Sequence, residues 1–364
     1  MRGRPSDYWT LRYRTPQSGY RTPFGLWLIR EMRKSIYILL AIVLCACQGG
    51  REFFPKNMEM VDVEVVRFDS ALLSVRPDSA EVDIKRLYAD YEEFMPIYVE
   101  EVLGLNTEDT TELSRLYANF LTDTTMGFAQ TNEEVRKQFA DIKKIQSELN
   151  QGFTRMHYLY PELEIPKIYL LVSGFNASIF AYDDMIAVGA DMYLGADYEY
   201  YNQVVYNYQK VSMDKKFLAG DVLNYYISQN IPYTSKYNRL LEHMLFRGKQ
   251  MYLLEQLLPG VPKWEVMGYT QEQWDWCKKW EKEIWNRIMD KRDLFKTESM
   301  VITSYLNDGP FTSEISQESP GRLGIWVGWR IIDSYMRHNE EVSLQELMKD
   351  GDAQKILERS FYKP

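Results

Sequence analysis

The feature that most constrains the fold of this chain is an apolar stretch, predicted to form one helix from about residue 236 to residue 258. Its large side chains cover most of the helix circumference, so other elements must surround it on several sides. Pro259 and Gly260 provide the stop. The apolar members are Leu240, Leu241, Met244, Leu245, Met251, Tyr252, Leu254, Leu257 and Leu258. The sequence therefore predicts a central buried helix.

One acidic residue, Glu242, lies in the apolar part of this helix. A buried carboxylate has to be ion-paired, hydrogen-bonded or protonated. We therefore expect a Lys, Arg or Tyr side chain, or backbone N–H groups of a neighbouring strand, to bind Glu242.

The N-terminal region differs from the rest of the chain in composition. Residues 1–31 are rich in Arg and Pro and have no hydrophobic periodicity, which predicts an unstructured extension. They also precede a usable start, Met32, so they are interpreted as a possible error in start assignment. A basic pair and nine apolar residues, 36–44, follow Met32 and are typical of a secretory signal. Nine residues are too few to cross a bilayer, which needs about 20.

The signal ends in Leu44-Cys45-Ala46-Cys47, an order that resembles a bacterial lipobox. This pattern predicts cleavage of residues 32–46 and lipidation of Cys47, with an ordinary cleaved signal peptide as the alternative. Residues 47–57 are then a polar tether, and residues 58–364 are expected to form one domain. Cys277 is the remaining thiol, so no disulfide within the mature chain is expected.

Charge further limits the partners. Residues 1–46 carry eight basic and two acidic side chains, so without them the net charge changes from -9 to -15. Such a chain is repelled by nucleic acid and by anionic headgroups. Membrane attachment is therefore expected through acyl chains, more than one being needed for stable anchoring. The expected partners are the bilayer and other envelope proteins, with no nucleic acid.

The remaining pattern predicts an α+β domain that is predominantly helical, with a small sheet. Capping patterns begin helices at Thr131 with Glu134, Thr270 with Gln273, and Ser343 with Glu346. Asp183 and Asp184 are predicted to form the turn of an antiparallel hairpin. Gly324 and Gly328 are expected to let another backbone approach. The predicted strands are 61–68, 168–172, 178–182 and 185–189, and the other predicted helices are 78–103, 109–121, 131–157, 216–228, 270–285 and 320–335.

A helix, a hairpin sheet and then a central helix with an internal Glu is the order found in zincin metallopeptidases. Their H-E-x-x-H motif supplies two zinc ligands and a general base on one helix. At Glu242, however, the two ligand positions are Leu241 and Leu245, which cannot coordinate a cation. His243 falls between them, about 100° per residue away from the ligand face. No metal or other cofactor is therefore expected, and Glu242 is interpreted as the remnant of a general base.

Three further features have a functional and a simpler interpretation. Tryptophans between Trp274 and Trp285 suit a sugar-stacking platform, but their helical spacing favours core packing. Ser173 and Ser178 are candidate nucleophiles, but they lack a paired His nearby in the sequence pattern, so turns are favoured. Asp183 with Asp184 is favoured as a turn over a calcium site.

Several segments together resemble the gliding-motility lipoprotein GldB family of Bacteroidetes, over roughly residues 33–364. They are the lipoprotein start, Tyr169-Leu170-Leu171-Val172, Val188-Gly189-Ala190-Asp191-Met192-Tyr193-Leu194-Gly195, Gly248-Lys249 with Leu258-Pro259, Gln273 with Trp276-Cys277, and Ser319-Pro320-Gly321-Arg322-Leu323-Gly324-Ile325-Trp326-Val327-Gly328-Trp329. The resemblance implies a zincin-like fold without the metal-binding histidines, and a cell-envelope lipoprotein needed for surface gliding.

We therefore expect a non-catalytic, lipid-anchored protein that binds other envelope components. Gln48 after Cys47 is not an acidic inner-membrane retention signal, which favours the outer membrane, facing the periplasm. The competing hypotheses are a metal-dependent peptidase with a divergent site, and a lipoprotein that captures a glycan or another solute.

Overall fold

A four-stranded sheet lies between two groups of helices. The structure is a computed structural model that describes residues 51–105 and 110–364. The strands are β1 (Val65–Val66), β2 (Lys167–Leu171), β3 (Ile179–Tyr182) and β4 (Met185–Gly189), in the spatial order β1-β2-β4-β3. β1, β2 and β4 run parallel, and β3 pairs antiparallel with β4. The predicted hairpin, with its turn at Asp183 and Asp184, is confirmed.

Helices cover both faces of this sheet, which explains why its two central strands are continuous apolar runs. Ile168, Leu170 and Val188 point into the larger hydrophobic core. Tyr169 and Leu171 point into a second core on the opposite face. Because side chains alternate along a strand, the same short segments stabilise both cores.

The predicted α+β class with a predominance of helix is confirmed. Of the α-helices in the described residues, six precede β2 and ten follow β4. The helices are α1 (Phe68–Leu73), α2 (Ala80–Asp90), α3 (Phe94–Ile97), α4 (Thr110–Thr122), α5 (Phe128–Gln138), α6 (Lys143–Leu159), α7 (Tyr201–Val204), α8 (Leu218–Asn230), α9 (Leu240–Leu257), α10 (Lys263–Met267), α11 (Gln271–Lys279), α12 (Glu281–Asp290), α13 (Ser299–Leu306), α14 (Leu323–His338), α15 (Leu344–Lys349) and α16 (Ala353–Ser360).

The central buried helix is α9, which begins at Leu240 and not at residue 236. It packs most extensively against α14, backbone to backbone. A Cβ atom built on Gly328 would lie 1.9 Å from the carbonyl oxygen of Met244, and one on Gly248 would lie 2.3 Å from the carbonyl carbon of Gly328. The approach predicted at Gly324 involves a different helix, α13, whose Tyr305 lies 2.9 Å from the corresponding Cβ position.

The helix predicted over residues 78–103 is wrong as one element. α2 ends at Asp90, and a separate helix begins at Phe94. Pro96 explains the break, because proline lacks an N–H and its ring clashes with the preceding turn, so it is tolerated in a first turn and not in a helix interior. The strand predicted over residues 61–68 is also shorter, since only β1 pairs within it.

The long helix predicted from Thr131 is divided in the same way. Thr131 lies inside α5, where its hydroxyl donates to the carbonyl oxygen of Gly127 over 2.8 Å, so its capping role is wrong. A second helix, α6, begins after Asp141, whose side chain accepts from the N–H of Lys143. Asx side chains of this kind end one helix and start another by offering a local hydrogen bond.

The other two capping patterns are confirmed. Thr270 with Gln273, and Ser343 with Glu346, each exchange both hydrogen bonds of a capping box. The helix that starts after Thr270 nevertheless breaks at Trp280 into α11 and α12.

Residues 53–364 form one compact unit. Phe54 is buried and its ring lies 6.0 Å from that of Tyr158, so the segment predicted as a tether, 47–57, overlaps the folded unit at its end. The predicted signal, 32–46, and the lipidation site Cys47 lie outside the described residues.

Candidate functional site

Glu242 lies in the first turn of α9, because the helix begins only two residues earlier. Its side chain is 2% exposed and is bound by Arg239, whose Nε lies 3.0 Å and 3.1 Å from the two carboxylate oxygens. The hydrogen bond to Glu242 raises the pKa of Arg239. The guanidinium also stacks on the rings of Tyr237 and Phe295, at 4.6 Å and 5.4 Å. The partner expected from the sequence is therefore an arginine, and the pair is internally satisfied.

The neighbouring positions do not fit a zinc ion. Leu241 and Leu245 are 0% and 1% exposed and belong to the larger core. His243 stacks on Tyr233 with ring centroids 4.9 Å apart. Within residues 51–105 and 110–364, no group of three or more His, Cys, Asp or Glu side chains is placed to hold a metal.

The candidate nucleophile Ser173 belongs to a turn that a buried carboxylate holds together. Asp191 accepts hydrogen bonds from the backbone N–H groups of Ser173 and Phe175, at 2.9 Å and 2.8 Å. The Ser173 hydroxyl donates to the same carboxylate over 3.0 Å. Gly174 and Phe175 both have positive φ, so the turn is tight, and Asp191 stabilises it. Burial raises the pKa of Asp191.

The structure brings polar residues together elsewhere, in a cleft of about 380 Å³. Its walls come from the start of β3, the tyrosine-rich segment after β4, α8 and α9. The loop from α10 into α11 and the loop before α14 complete them. We call it the central cleft. Its principal polar residues are Asp221, Asn224, Arg247, Gln273, Asp308 and Arg322.

Arg322 is held firmly at one side of the central cleft. Its backbone has a φ of 60°, its Nε lies 3.0 Å from a carboxylate oxygen of Asp308, and one terminal nitrogen donates to the carbonyl oxygen of Gly268 over 3.1 Å. The guanidinium lies 5.6 Å from the centroid of the Tyr269 ring. Asp308 is itself largely exposed, so this ion pair sits at the mouth of the cleft.

Arg247 projects into the same cleft from α9. Its guanidinium donates a hydrogen bond to the amide oxygen of Gln250, over 3.0 Å. Desolvation is the main cause that lowers the pKa of Arg247, and the nearby Arg322 lowers it further. Among the described residues Arg247 forms no ion pair, although the more distant Asp308 carboxylate partly offsets the lowering of its pKa. The partly buried guanidinium therefore has no carboxylate in direct contact.

Asp221 faces these cations from α8. It accepts a hydrogen bond from the Tyr193 hydroxyl over 3.0 Å. Burial raises its pKa to about 7, against the opposing effects of Tyr193 and Arg322. A carboxyl group with a raised pKa in a cleft is typical of functional sites.

Aromatic rings complete the cleft, but they are tyrosines and not the tryptophans singled out in the sequence. Tyr208 and Tyr225 line it, and Tyr206 stacks on Tyr208 with centroids 5.8 Å apart. Trp274 instead packs in the core, 5.5 Å from Trp329.

Sequence reasoning missed the central cleft. Arg247 had one usable signal, a charged residue on a helix that is apolar all round. Gln273 and Arg322 lay in segments that carried the family resemblance, without a role attached. Asp221 had no distinguishing pattern, because it lies on an ordinary helix far from the other residues in sequence.

The described residues form a mainly helical α+β fold with a cleft lined by charged side chains. Residues 55–364 match the family model described as "Gliding motility protein GldB". The chain belongs to this family, and the resemblance identified in its sequence is thereby confirmed. The family places it among gliding-motility-related lipoproteins of the cell envelope.

Comparison with curated proteins and with solved structures returned no significant match. Within the described part of the chain, every helix is too short or too polar to cross a bilayer.

Proposed function

We propose that this member of the GldB family is a non-catalytic, lipid-anchored envelope protein that binds another envelope component in its central cleft. The observation that carries the proposal is the contrast between two parts of α9. Glu242, the acid that resembles a general base, forms an ion pair with Arg239. Arg247, in contrast, faces a cleft and has no ion-pair partner among the described residues. Binding, and not hydrolysis at the central helix, is what these residues support.

The anchor is proposed to be acyl chains on Cys47, with the protein on the outer membrane facing the periplasm. Support comes from the lipobox-like ending, from Gln48, and from the strongly acidic mature chain, which anionic surfaces and nucleic acid repel. Other envelope proteins or glycans are then the accessible partners.

A zincin-like origin of the fold is also proposed. Its support is the order of elements, with the long helix α6, the sheet with its hairpin, and then α9 carrying Glu242. The position of Glu242 in a first turn, between two leucines in the core, is the reason we do not extend the proposal to metal-dependent peptide hydrolysis.

Anchoring is tested by Cys47→Ser. The variant is expected to leave the membrane fraction, or to retain its signal. Mass spectrometry of the mature N-terminus should find an acylated Cys47 in the parent. A soluble parent with an unmodified N-terminus would show that the lipoprotein interpretation is wrong.

Binding through the central cleft is tested by photo-crosslinking in intact cells. A photoreactive residue at Tyr208, inside the cleft, should capture a defined envelope component, while one at Met300, which is 83% exposed and outside the cleft, should not. Equal capture at both positions, or none at Tyr208, would contradict the proposal.

Elemental analysis should find far less than one zinc per chain, and a chelator-sensitive peptidase activity of the pure protein would overturn the non-catalytic assignment.

A further inference from the structure

We propose that the central cleft recognises an acidic sugar, whose carboxylate or phosphate lies between Arg247 and Arg322. This inference rests on the proposed binding function of the cleft and adds the chemical class of its ligand. It follows from four observations: an unpaired cation, a second cation held in place, an unpaired acceptor, and tyrosine rings.

The unpaired cation is Arg247. Removing a guanidinium from water is costly unless an anion compensates for the lost hydration. Here the hydrogen bond to Gln250 involves a neutral amide, and no ion pair is present among the described residues. Its planar fork of N–H donors matches the two oxygens of a carboxylate or phosphate. A ligand anion is the natural partner that the protein itself does not provide.

The second cation, Arg322, is already oriented before any ligand arrives. Asp308, Gly268 and the Tyr269 ring fix three sides of its guanidinium. Its proximity lowers the pKa of Arg247, so the two positive groups repel one another. An anion between them removes that repulsion. The cleft thus holds two guanidinium groups, of which only Arg322 has an ion-pair partner among the described residues.

The other lining groups call for a ligand that is more than an anion. The amide oxygen of Asn224 is buried and has no hydrogen-bond partner, so it requires a donor such as a hydroxyl. Asp221 lies on the same helix and accepts a hydrogen bond from the Tyr193 hydroxyl. Two aromatic residues, Tyr208 and Tyr225, line the cleft. Hydroxyl groups on a flat-sided ring, next to an acid, describe a uronic acid or a sugar phosphate.

The size of the cleft agrees with this class. Small-molecule sites usually have volumes of about 300–1,000 Å³, and the central cleft has about 380 Å³. One or two sugar units therefore fit better than a folded partner or a long chain.

Isothermal titration of the full-length lipidated protein in detergent tests the inference with three matched probes: glucuronate, glucose 1-phosphate and glucose. At least one acid should bind, and glucose should bind at least about tenfold more weakly. The preferred acid identifies the ligand as a carboxylate or a phosphate. Binding should weaken with added salt, because screening acts on the charged contacts.

Variants locate the binding. Arg247→Met should lower the affinity for the preferred acid by about tenfold or more. Arg247→Lys should lower it less, because lysine keeps the positive charge but loses the bidentate hydrogen bonding of the guanidinium. The matched control is Arg155→Met, which removes another partly buried guanidinium that binds a backbone carbonyl, of Gln256, outside the cleft. The control should bind like the parent. Circular dichroism and melting temperature verify that each variant is folded.

Two results would overturn the inference. One is equal affinity for glucose and both acids, and the other is no binding of either acid. If neither acid binds while Tyr208 still crosslinks to an envelope component, the ligand class is wrong and the proposed function stands. If both experiments fail, the cleft is not the binding site.

Discussion

Glu242 and Arg247 lie on the same helix, about 7.5 Å apart along its axis, yet the protein treats their charges in opposite ways. Glu242 forms a buried ion pair with Arg239, three residues earlier in the chain. Arg247 is desolvated against the central cleft, near the Arg322 cation, and no carboxylate among the described residues forms an ion pair with it. The first arrangement stabilises the fold, since the buried charge is paired. The second costs stability unless a ligand completes it.

This difference separates a remnant from a candidate site. A carboxylate in a first helical turn, facing the positive end of the helix dipole and bound by an arginine, has a structural explanation. The half-buried guanidinium of Arg247 lines the same cleft as Asp221, whose pKa is about 7, and it has no comparable structural explanation within the described fold. An unpaired charge such as that of Arg247 is therefore a better indicator of a functional site here than the zincin-like position of Glu242.

The largest expected effect comes from Gly328→Ala, which acts on the contact between α9 and α14. The added methyl group would collide with backbone atoms of Met244 and force the helices apart, lowering the free energy of unfolding by about 3 kcal/mol. Arg322, just before α14, would move away from Arg247, so acid binding should also weaken. The Arg239–Glu242 pair, local to one helix start, should survive. Urea unfolding and isothermal titration measure the two effects.

Gly220→Ala is the control for this change. Gly220 also lies in a helix, but a Cβ atom there meets only Leu258, at an ordinary 3.8 Å. The substitution should leave stability unchanged or raise it by up to about 1 kcal/mol. Equal destabilisation by the two substitutions would mean that the close approach at Gly328 is not what holds α9 and α14 together.

Removing the acid of the closed pair should have the next largest effect. Glu242→Ala leaves Arg239 partly buried without its partner and should lower the free energy of unfolding by about 1 to 3 kcal/mol. Glu242→Gln should cost less, because the amide oxygen still accepts a hydrogen bond. Denaturant unfolding compares the two, with Glu81→Ala as a surface control expected to cost under about 1 kcal/mol. If both Glu242 variants keep full stability but envelope function is lost, the residue is functional and its structural interpretation is wrong.

The pH dependence of stability should reveal Asp221. Its pKa is raised from 3.8 to about 7 in the folded protein, so folding favours the protonated form. This contribution is complete below pH 3.8 and is lost as the pH rises through 7. Relative to Asp221→Asn, the parent should therefore lose about 2 kcal/mol between pH 4 and pH 8, less than the roughly 4 kcal/mol expected of a fully enclosed group. Parallel curves for parent and variant would contradict the raised pKa. Tyr193, Arg322 and Asp308, which face Asp221, are unchanged in this comparison.

The smallest effect on stability is expected at Arg247. Arg247→Met replaces a desolvated and unpaired cation by an apolar side chain of similar length, so the free energy of unfolding should stay within about 1 kcal/mol of the parent or rise. Differential scanning calorimetry without ligand provides the measurement. A loss as large as that of Glu242→Ala would show that Arg247 has an internal partner, and the contrast between the two residues would disappear.

The central helix, the hairpin at Asp183 and Asp184, and two capping boxes could be predicted because each depends on residues close together in sequence. The divided helices could not be predicted by periodicity alone. Pro96 is the sequence signal for the first of these breaks, because proline is not tolerated in a helix interior. The break at Trp280 carried none, since apolar residues continue on both sides of it.

The sequence by itself determined the family, the α+β class and the presence of an acid inside the central helix, because these follow from periodicity and from segments that can be compared directly. The tertiary structure alone decided which charges are paired. Asp221, Arg247 and Arg322 come from α8, α9 and the loop before α14, and only the packing of those helices places them around one cleft. Electrostatic compensation depends on distance in space and on the loss of water, and neither quantity is encoded in the spacing of residues along a chain.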